Sequence, residues 1–211
     1  MADSELFDEL VAVVDATATS PVILHAPHGG RVVPAAFRPA FTITDAALAR
    51  EHDALVDHFT DRVVVAAIGA DASELESFGA VGAARSIRLP MASAVINGLS
   101  RFVVDVERFD DESEEKIAVG QGVLYSHGAW RDPIRVVPRA DVESLMEFYR
   151  AYSAAIERLV DAALAHHGRA VMLEVRRDTY MDEVRVEPWA GGIARLADRV
   201  RVLARTAGSL E

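Results

Sequence analysis

The sequence predicts an α/β fold with a mainly parallel sheet. Short apolar runs of strand length, at 21–24, 101–106 and 170–175, are separated by long stretches of helical periodicity at 44–65 and 139–167. The chain has 211 residues, of which 51% are hydrophobic, enough to bury a full core as one domain over 1–211.

Apolar positions across 6–14 have helical spacing. Pro21-Val22-Ile23-Leu24 reads as a fully buried strand that ends where Pro27 and the pair Gly29-Gly30 force a loop. The stretch 44–65 suits one amphipathic helix with Asp45 as N-cap. Residues 69–98 are rich in Gly, Ala and Ser, which suggests a short strand near Val81 and a loop over 89–97. The run 101–106 reads as a second strand, 120–125 as a short edge strand, and 139–167 as the clearest helix, stopped by Gly168. Residues 170–175 read as a third strand and 193–207 as a closing helix.

Composition removes several function classes. With a formal net charge of −11, the chain has no excess of Lys and Arg to neutralise phosphates, so neither nucleic acid nor an anionic membrane is an expected partner. No cysteine is present, which excludes disulfides, thiolate zinc sites and a cysteine nucleophile. The acidic N-terminus lacks the basic and apolar regions of a signal peptide, and the expected location is cytoplasmic. Homo-oligomerisation is left open.

In a mainly parallel sheet, ligands collect beyond the carboxyl ends of the strands. The polar residues expected there are 25–30, Glu107-Arg108 and 174–178. His28 follows a strand directly and could present a ring nitrogen to a metal, while Gly29 and Gly30 would let backbone and substrate approach closely. A turn histidine capped by local backbone is the alternative. Four-residue spacing would put Asp53, Asp57 and Asp61 on one helix face, where a solvated carboxylate row competes with a ligand role. Arg108 could clamp a substrate carboxylate through its two-pronged guanidinium, or pair with Asp110 or Asp111. Glu174 interrupts an apolar strand, an environment suited to a general base; a salt bridge to Arg176 or Arg177 is the competing reading.

Five stretches in order resemble one family. Pro27-His28-Gly29-Gly30 with the downstream Pro34 is similar to the N-terminal signature of N-formylglutamate amidohydrolases. Val56-Asp57-His58-Phe59-Thr60-Asp61 resembles the family's Thr-Asp segment, and 100–109 its central strand signature. Gly122-Val123-Leu124-Tyr125 and 172–183 match the segments that follow. The resemblance implies a three-layer α/β/α sandwich like that of zinc carboxypeptidases, with one zinc or other divalent metal per chain. It implies His28 and Asp57 as metal ligands, Glu174 as catalytic base, and Arg108 as the holder of the substrate carboxylate. Arg101 would line the pocket, and Arg176, in the matching C-terminal motif, would join it in binding the substrate.

Family members carry a further strand whose Asp-x-His-Ser motif supplies the third metal ligand. Here His166-His167-Gly168-Arg169 runs straight into the last strand, and Tyr152-Ser153 stands where many members have paired His. His127 is the substitute ligand the sequence offers, against a surface-loop role. The implied reaction is metal-dependent hydrolysis of a small N-acyl amino acid such as N-formylglutamate. The alternative is a non-catalytic homologue that binds a small carboxylate.

Overall fold

The sheet is built around a strand inside 89–97, where the sequence pattern predicts a loop. The computed structural model describes residues 3–16, 21–68, 92–167 and 175–208. Strands β1 (Val11–Val14), β2 (Ile23–Ala26) and β3 (Ser93–Asn97) lie in the order β1-β3-β2. β3 pairs antiparallel with β1, Val11 opposite Asn97, and parallel with β2, Ala26 opposite Ile96. The described sheet is therefore mixed. Ala94, Val95 and Ile96 are buried, as the middle strand of a covered sheet requires.

The helices are α1 (Asp3–Leu10), α2 (Asp45–Leu55), α3 (Thr60–Ile68), α4 (Arg139–His167) and α5 (Gly192–Gly208), of which α1, α3 and α4 pack on the sheet. A small hairpin of β4 (Met181–Asp182) and β5 (Glu187–Pro188) precedes α5. The helix expected over 6–14 ends at Leu10, because the β-branched run Val11-Ala12-Val13-Val14 is drawn into the sheet. The single helix expected over 44–65 is two. Thr44, not Asp45, caps α2 by accepting from the Ala47 amide, and the chain breaks at 56–59, where Phe59 adopts a left-handed φ of 67°. Asp57 falls in that break, so Asp53, Asp57 and Asp61 do not share one continuous helix face.

Residues 101–106 form no strand. They are an irregular, wholly buried segment, and 120–125 is likewise turn and bend. Buried irregular backbone needs partners. Here Arg135, itself 2% exposed, donates Nη1–H bonds to the Phe102 and Val103 carbonyls, and the Asp105 amide donates to Val123 O. The strand expected near Val81 and residues 170–174 of the strand expected at 170–175 lie outside the described residues; Val175 is exposed and in no strand. Among the described residues no helix is long and apolar enough to cross a membrane.

Helix α4 carries the main core. Leu145, Phe148, Tyr152 and Leu159 recur at helical spacing and are buried, and Phe148 meets Phe7 of α1 edge-on at 5.9 Å. α3 packs on α5, whose Arg201 donates to the Ala66 and Ala67 carbonyls at the end of α3. Truncating Leu145 to Ala should cost about 2–5 kcal/mol in chemical denaturation. Leu164→Ala, on the open face of the same helix at 37% exposure, should stay within about 0.5 kcal/mol. Equal losses for the two would show that α4 is not docked by this face.

Candidate active site

β2 and β3 are parallel neighbours, so the segments leaving their carboxyl ends start side by side. Asn97 ties the two together. Its Nδ2 donates to the Pro27 carbonyl at 2.8 Å, and its Oδ1 accepts from the Leu99 amide at 2.9 Å. The Val32 amide donates to Gly98 O and the Ser100 amide to Val32 O, which zips the loops for two further steps. Gly30 is required here because a Cβ would strike the Gly98 carbonyl, and a Cβ on Gly29 would meet Thr60 Oγ1 at 2.8 Å. Both glycines thus permit close approach of protein to protein.

The first loop delivers His28 and the second Asp105. His28 Nε2 lies 2.8 Å from Asp105 Oδ1, with the histidine 5% exposed and the aspartate not exposed at all. Asp105 Oδ2 accepts from Arg101 Nη2 at 2.7 Å, Arg101 Nε at 3.2 Å and the Tyr125 hydroxyl at 3.1 Å. Arg108 Nε stands 3.5 Å from the same oxygen. The Glu107 amide donates to Oδ1 at 3.1 Å. Burial alone would raise the Asp105 pKa, but the His28 hydrogen bond and the Arg101 charge reverse it and hold the carboxyl far below its ordinary range.

His28 Nδ1 faces two more carboxylates, Asp57 at 3.5 Å and Glu107 at 3.4 Å. Burial would lower the His28 pKa, yet hydrogen bonding to Asp105 and Asp57 outweighs it and the pKa stands above normal. Asp57 is lowered in turn: burial opposes ionisation, and the bond to His28 overrides it. Glu107 is raised, chiefly by burial. The break between α2 and α3 aims Asp57. Its amide donates to His28 O at 3.0 Å, Thr60 Oγ1 donates to its carbonyl, and Arg177 donates to Val56 O. Beyond Glu107 lies His25, Nδ1 at 3.6 Å and Nε2 at 2.8 Å from the Tyr152 hydroxyl of α4. Burial, then the nearby His28, push the His25 pKa down to about 4, so the ring is neutral at pH 7. With its one N–H on Nδ1 toward Glu107, Nε2 accepts from Tyr152.

The sequence-predicted residues meet different fates. His28, Asp57, Arg101 and Arg108 come together around Asp105. Arg101 has all three guanidinium nitrogens engaged, the third on Leu55 O at 2.9 Å. Arg108 touches neither Asp110 nor Asp111 among the described ion pairs; its Nε is buried without a hydrogen-bond partner. His127 bonds Ser126 Oγ at 2.9 Å, and among the described residues no hydrogen bond or ion pair links it to His28 or Asp57. Arg176 is exposed and paired with Asp178 at 2.6 Å. Glu174 lies outside the described residues. Glu51 and His52 are buried in α2, where they brace neighbouring loops: Glu51 accepts from the Ala129 amide, and His52 pairs with Ser100 Oγ.

Asp105 was missed, and the signal that could have found it is the one that singles out Glu174: a charge inside an apolar run. Glu107 as a group of its own, Tyr125 and Tyr152 gave no signal in spacing alone.

Does this arrangement fit a metal? A ligating histidine usually has its second nitrogen fixed by a carboxylate, as His28 Nε2 is by Asp105, leaving Nδ1 toward Asp57. Those two residues fit as ligands. Among the described residues, however, no group of three or more His, Asp or Glu closes into a ready cage.

Asp105→Asn should cost about 3–5 kcal/mol at pH 7 in denaturant titrations, since it strands Arg101 and His28 without their counter-charge. A carboxyl depressed in the folded state contributes stability above the unfolded pKa near 4 and loses it as pH falls further. The gap between wild type and variant should therefore narrow at pH 3. A variant as stable as wild type at pH 7 would refute the central role of Asp105.

Comparison with known proteins shows the family of the chain and the likeness of its fold. The model for N-formylglutamate amidohydrolases matches residues 20–179, which include His28, Asp57, Asp105, Glu107 and Arg108. No curated protein matches the sequence. A crystal structure of N-formylglutamate amidohydrolase from Ralstonia eutropha JMP134 is similar in fold, with a TM-score of 0.67 at 15% identity, over 95% of this chain and 98% of that one. With three quarters of its length matched by that model, the chain belongs to the N-formylglutamate amidohydrolase family.

Proposed function

We propose that the chain hydrolyses the amide bond of a small N-acyl amino acid, with N-formylglutamate the first substrate to try. The observation that carries this reading is His28, locked by buried Asp105 on one nitrogen and facing Asp57 with the other. Membership in an amidohydrolase family supports the reaction class. The same reading takes the fold to be a three-layer α/β/α sandwich of the zinc-carboxypeptidase type.

One zinc or other divalent ion per chain, held by His28 and Asp57, would polarise the amide carbonyl and acidify a bound water. The chain's own groups have separate tasks. Asp105 orients the His28 ring, and Arg101 neutralises Asp105 so that its charge is spent inside the protein. Arg108, whose Nε is ion-paired with the same carboxylate, receives the substrate carboxylate with the rest of its guanidinium and sets the amide in register. Glu174 is the carboxylate proposed to take the water proton, on the strength of its position in the sequence.

A second reading, binding of a small carboxylate without turnover, is favoured by one observation: the described residues close no three-donor cage. The two separate cleanly. With zinc supplied, the amidohydrolase reading expects formate release from N-formylglutamate, abolished by a chelator. Arg108→Ala should then lower kcat/KM at least ~100-fold, mainly through KM. Absence of product from a panel of N-formyl and N-acetyl amino acids, together with calorimetric binding of the same compounds, would establish the non-catalytic reading.

A further inference from the structure

We infer that Glu107 is the third protein ligand of the metal proposed at His28 and Asp57, taking the place of a histidine. The inference rests on the metal-hydrolase reading above. Because His28 Nε2 is tied to Asp105, Nδ1 is the nitrogen left for a metal, and it stands 3.5 Å from Asp57 Oδ2 and 3.4 Å from Glu107 Oε2. Ligand atoms about 2.0–2.2 Å from one tetrahedral ion lie roughly 3.3–3.5 Å from each other. Two of the three ligand-to-ligand edges therefore already have that length. Among the described residues the three do not make a complete metal cage, and the Asp57 charge works against ionised Glu107.

Glu107 is also held as a ligand is held. Its Oε1 faces His25 Nδ1 at 3.6 Å, and His25 is fixed by Tyr152, which leaves Oε2 for the His28 side. This is the outer support that orients ligating carboxylates. Its amide donates to Asp105, so one residue anchors both His28 and Glu107. The charges also balance. Neutral His28 with ionised Asp57 and Glu107 offers two negative charges to a divalent ion, while Asp105 is matched by Arg101. His127, the histidine that the sequence offers instead, is bonded to Ser126.

The test is metal binding, read without any assay of turnover. Zinc content is measured by elemental analysis on the full chain, and zinc affinity by chelator competition. Variants are Glu107→Gln, Glu107→His and His127→Ala, each checked for fold by circular dichroism; cobalt absorption reports the ligand set. The expected result is about one zinc per wild-type chain, with Glu107→Gln at least ~100-fold weaker, above the range for loss of an outer support. Glu107→His should recover affinity to within about tenfold and shift the cobalt d–d bands, an effect that a merely structural role would not produce. His127→Ala should bind like wild type. Wild-type affinity in Glu107→Gln, with one zinc still bound, would overturn the ligand assignment alone. No zinc in the wild-type chain would bring down the metal-hydrolase reading and this inference with it.

Discussion

Asp105 holds a full negative charge where water does not reach, and the surrounding groups are what make that tolerable. An isolated carboxylate in a protein interior costs far more than a folded domain has in hand. Asp105 is stable there because both oxygens are saturated, by His28 and an amide on one side and by Arg101 and Tyr125 on the other. The constraint runs outward from that point. Arg101 must be buried to reach it, and its third nitrogen then requires Leu55 O at the end of α2. The segment 101–106 must leave regular structure to present Asp105, and its freed carbonyls require Arg135. One charge thereby fixes the relative positions of two loops and a helix end.

Sheet topology puts that charge to use. Parallel pairing of β2 with β3 sends His28 and Asp105 out of the same edge, and Asn97 bonds to both exits. An antiparallel pair would have carried the two segments off opposite ends of the strands. β1, which is antiparallel to β3, contributes no site residue; it completes the sheet and packs its valines into the core.

Legibility in the sequence follows from which physical signal each element carries. Helix α4 was read to the residue, because 29 residues of uninterrupted 3.6-residue periodicity admit one interpretation. The break in 44–65 was not, because periodicity runs on past Val56 and nothing in it encodes the left-handed Phe59. The run 101–106 resembles a strand in sequence because an apolar run reports burial, and burial is shared by strands and pinned irregular loops alike. β3 was overlooked for the opposite reason: flanked by Ala, Ser and Gly, its short Ala94-Val95-Ile96 run lacked the bounding contrast of a strand. At the site, His28 and Arg108 are legible as polar groups after apolar runs, whereas Asp57, expected on a helix face, carries a ligand role only through the resemblance of its segment. Asp105 carries the signal of a charge inside an apolar run, but its pairing with His28, 77 positions away, is visible only in the fold.

The helix that is easiest to read in the sequence also sets the precision of the site. The apolar face of α4 that carries Leu145, Phe148 and Leu159 also carries Tyr152, whose hydroxyl meets His25, and the adjoining Tyr149 donates to the Arg108 carbonyl at 2.8 Å. Each tyrosine buries its ring with the core and extends one polar atom beyond it. The position of the site loops is therefore referred to a rigid, well-packed helix. Loosening the α4 core would shift both hydroxyls together, so loss of packing and loss of site geometry are here one event. In a chain whose site loops have so little regular structure of their own, that coupling is what keeps Glu107 and Arg108 in register with His28.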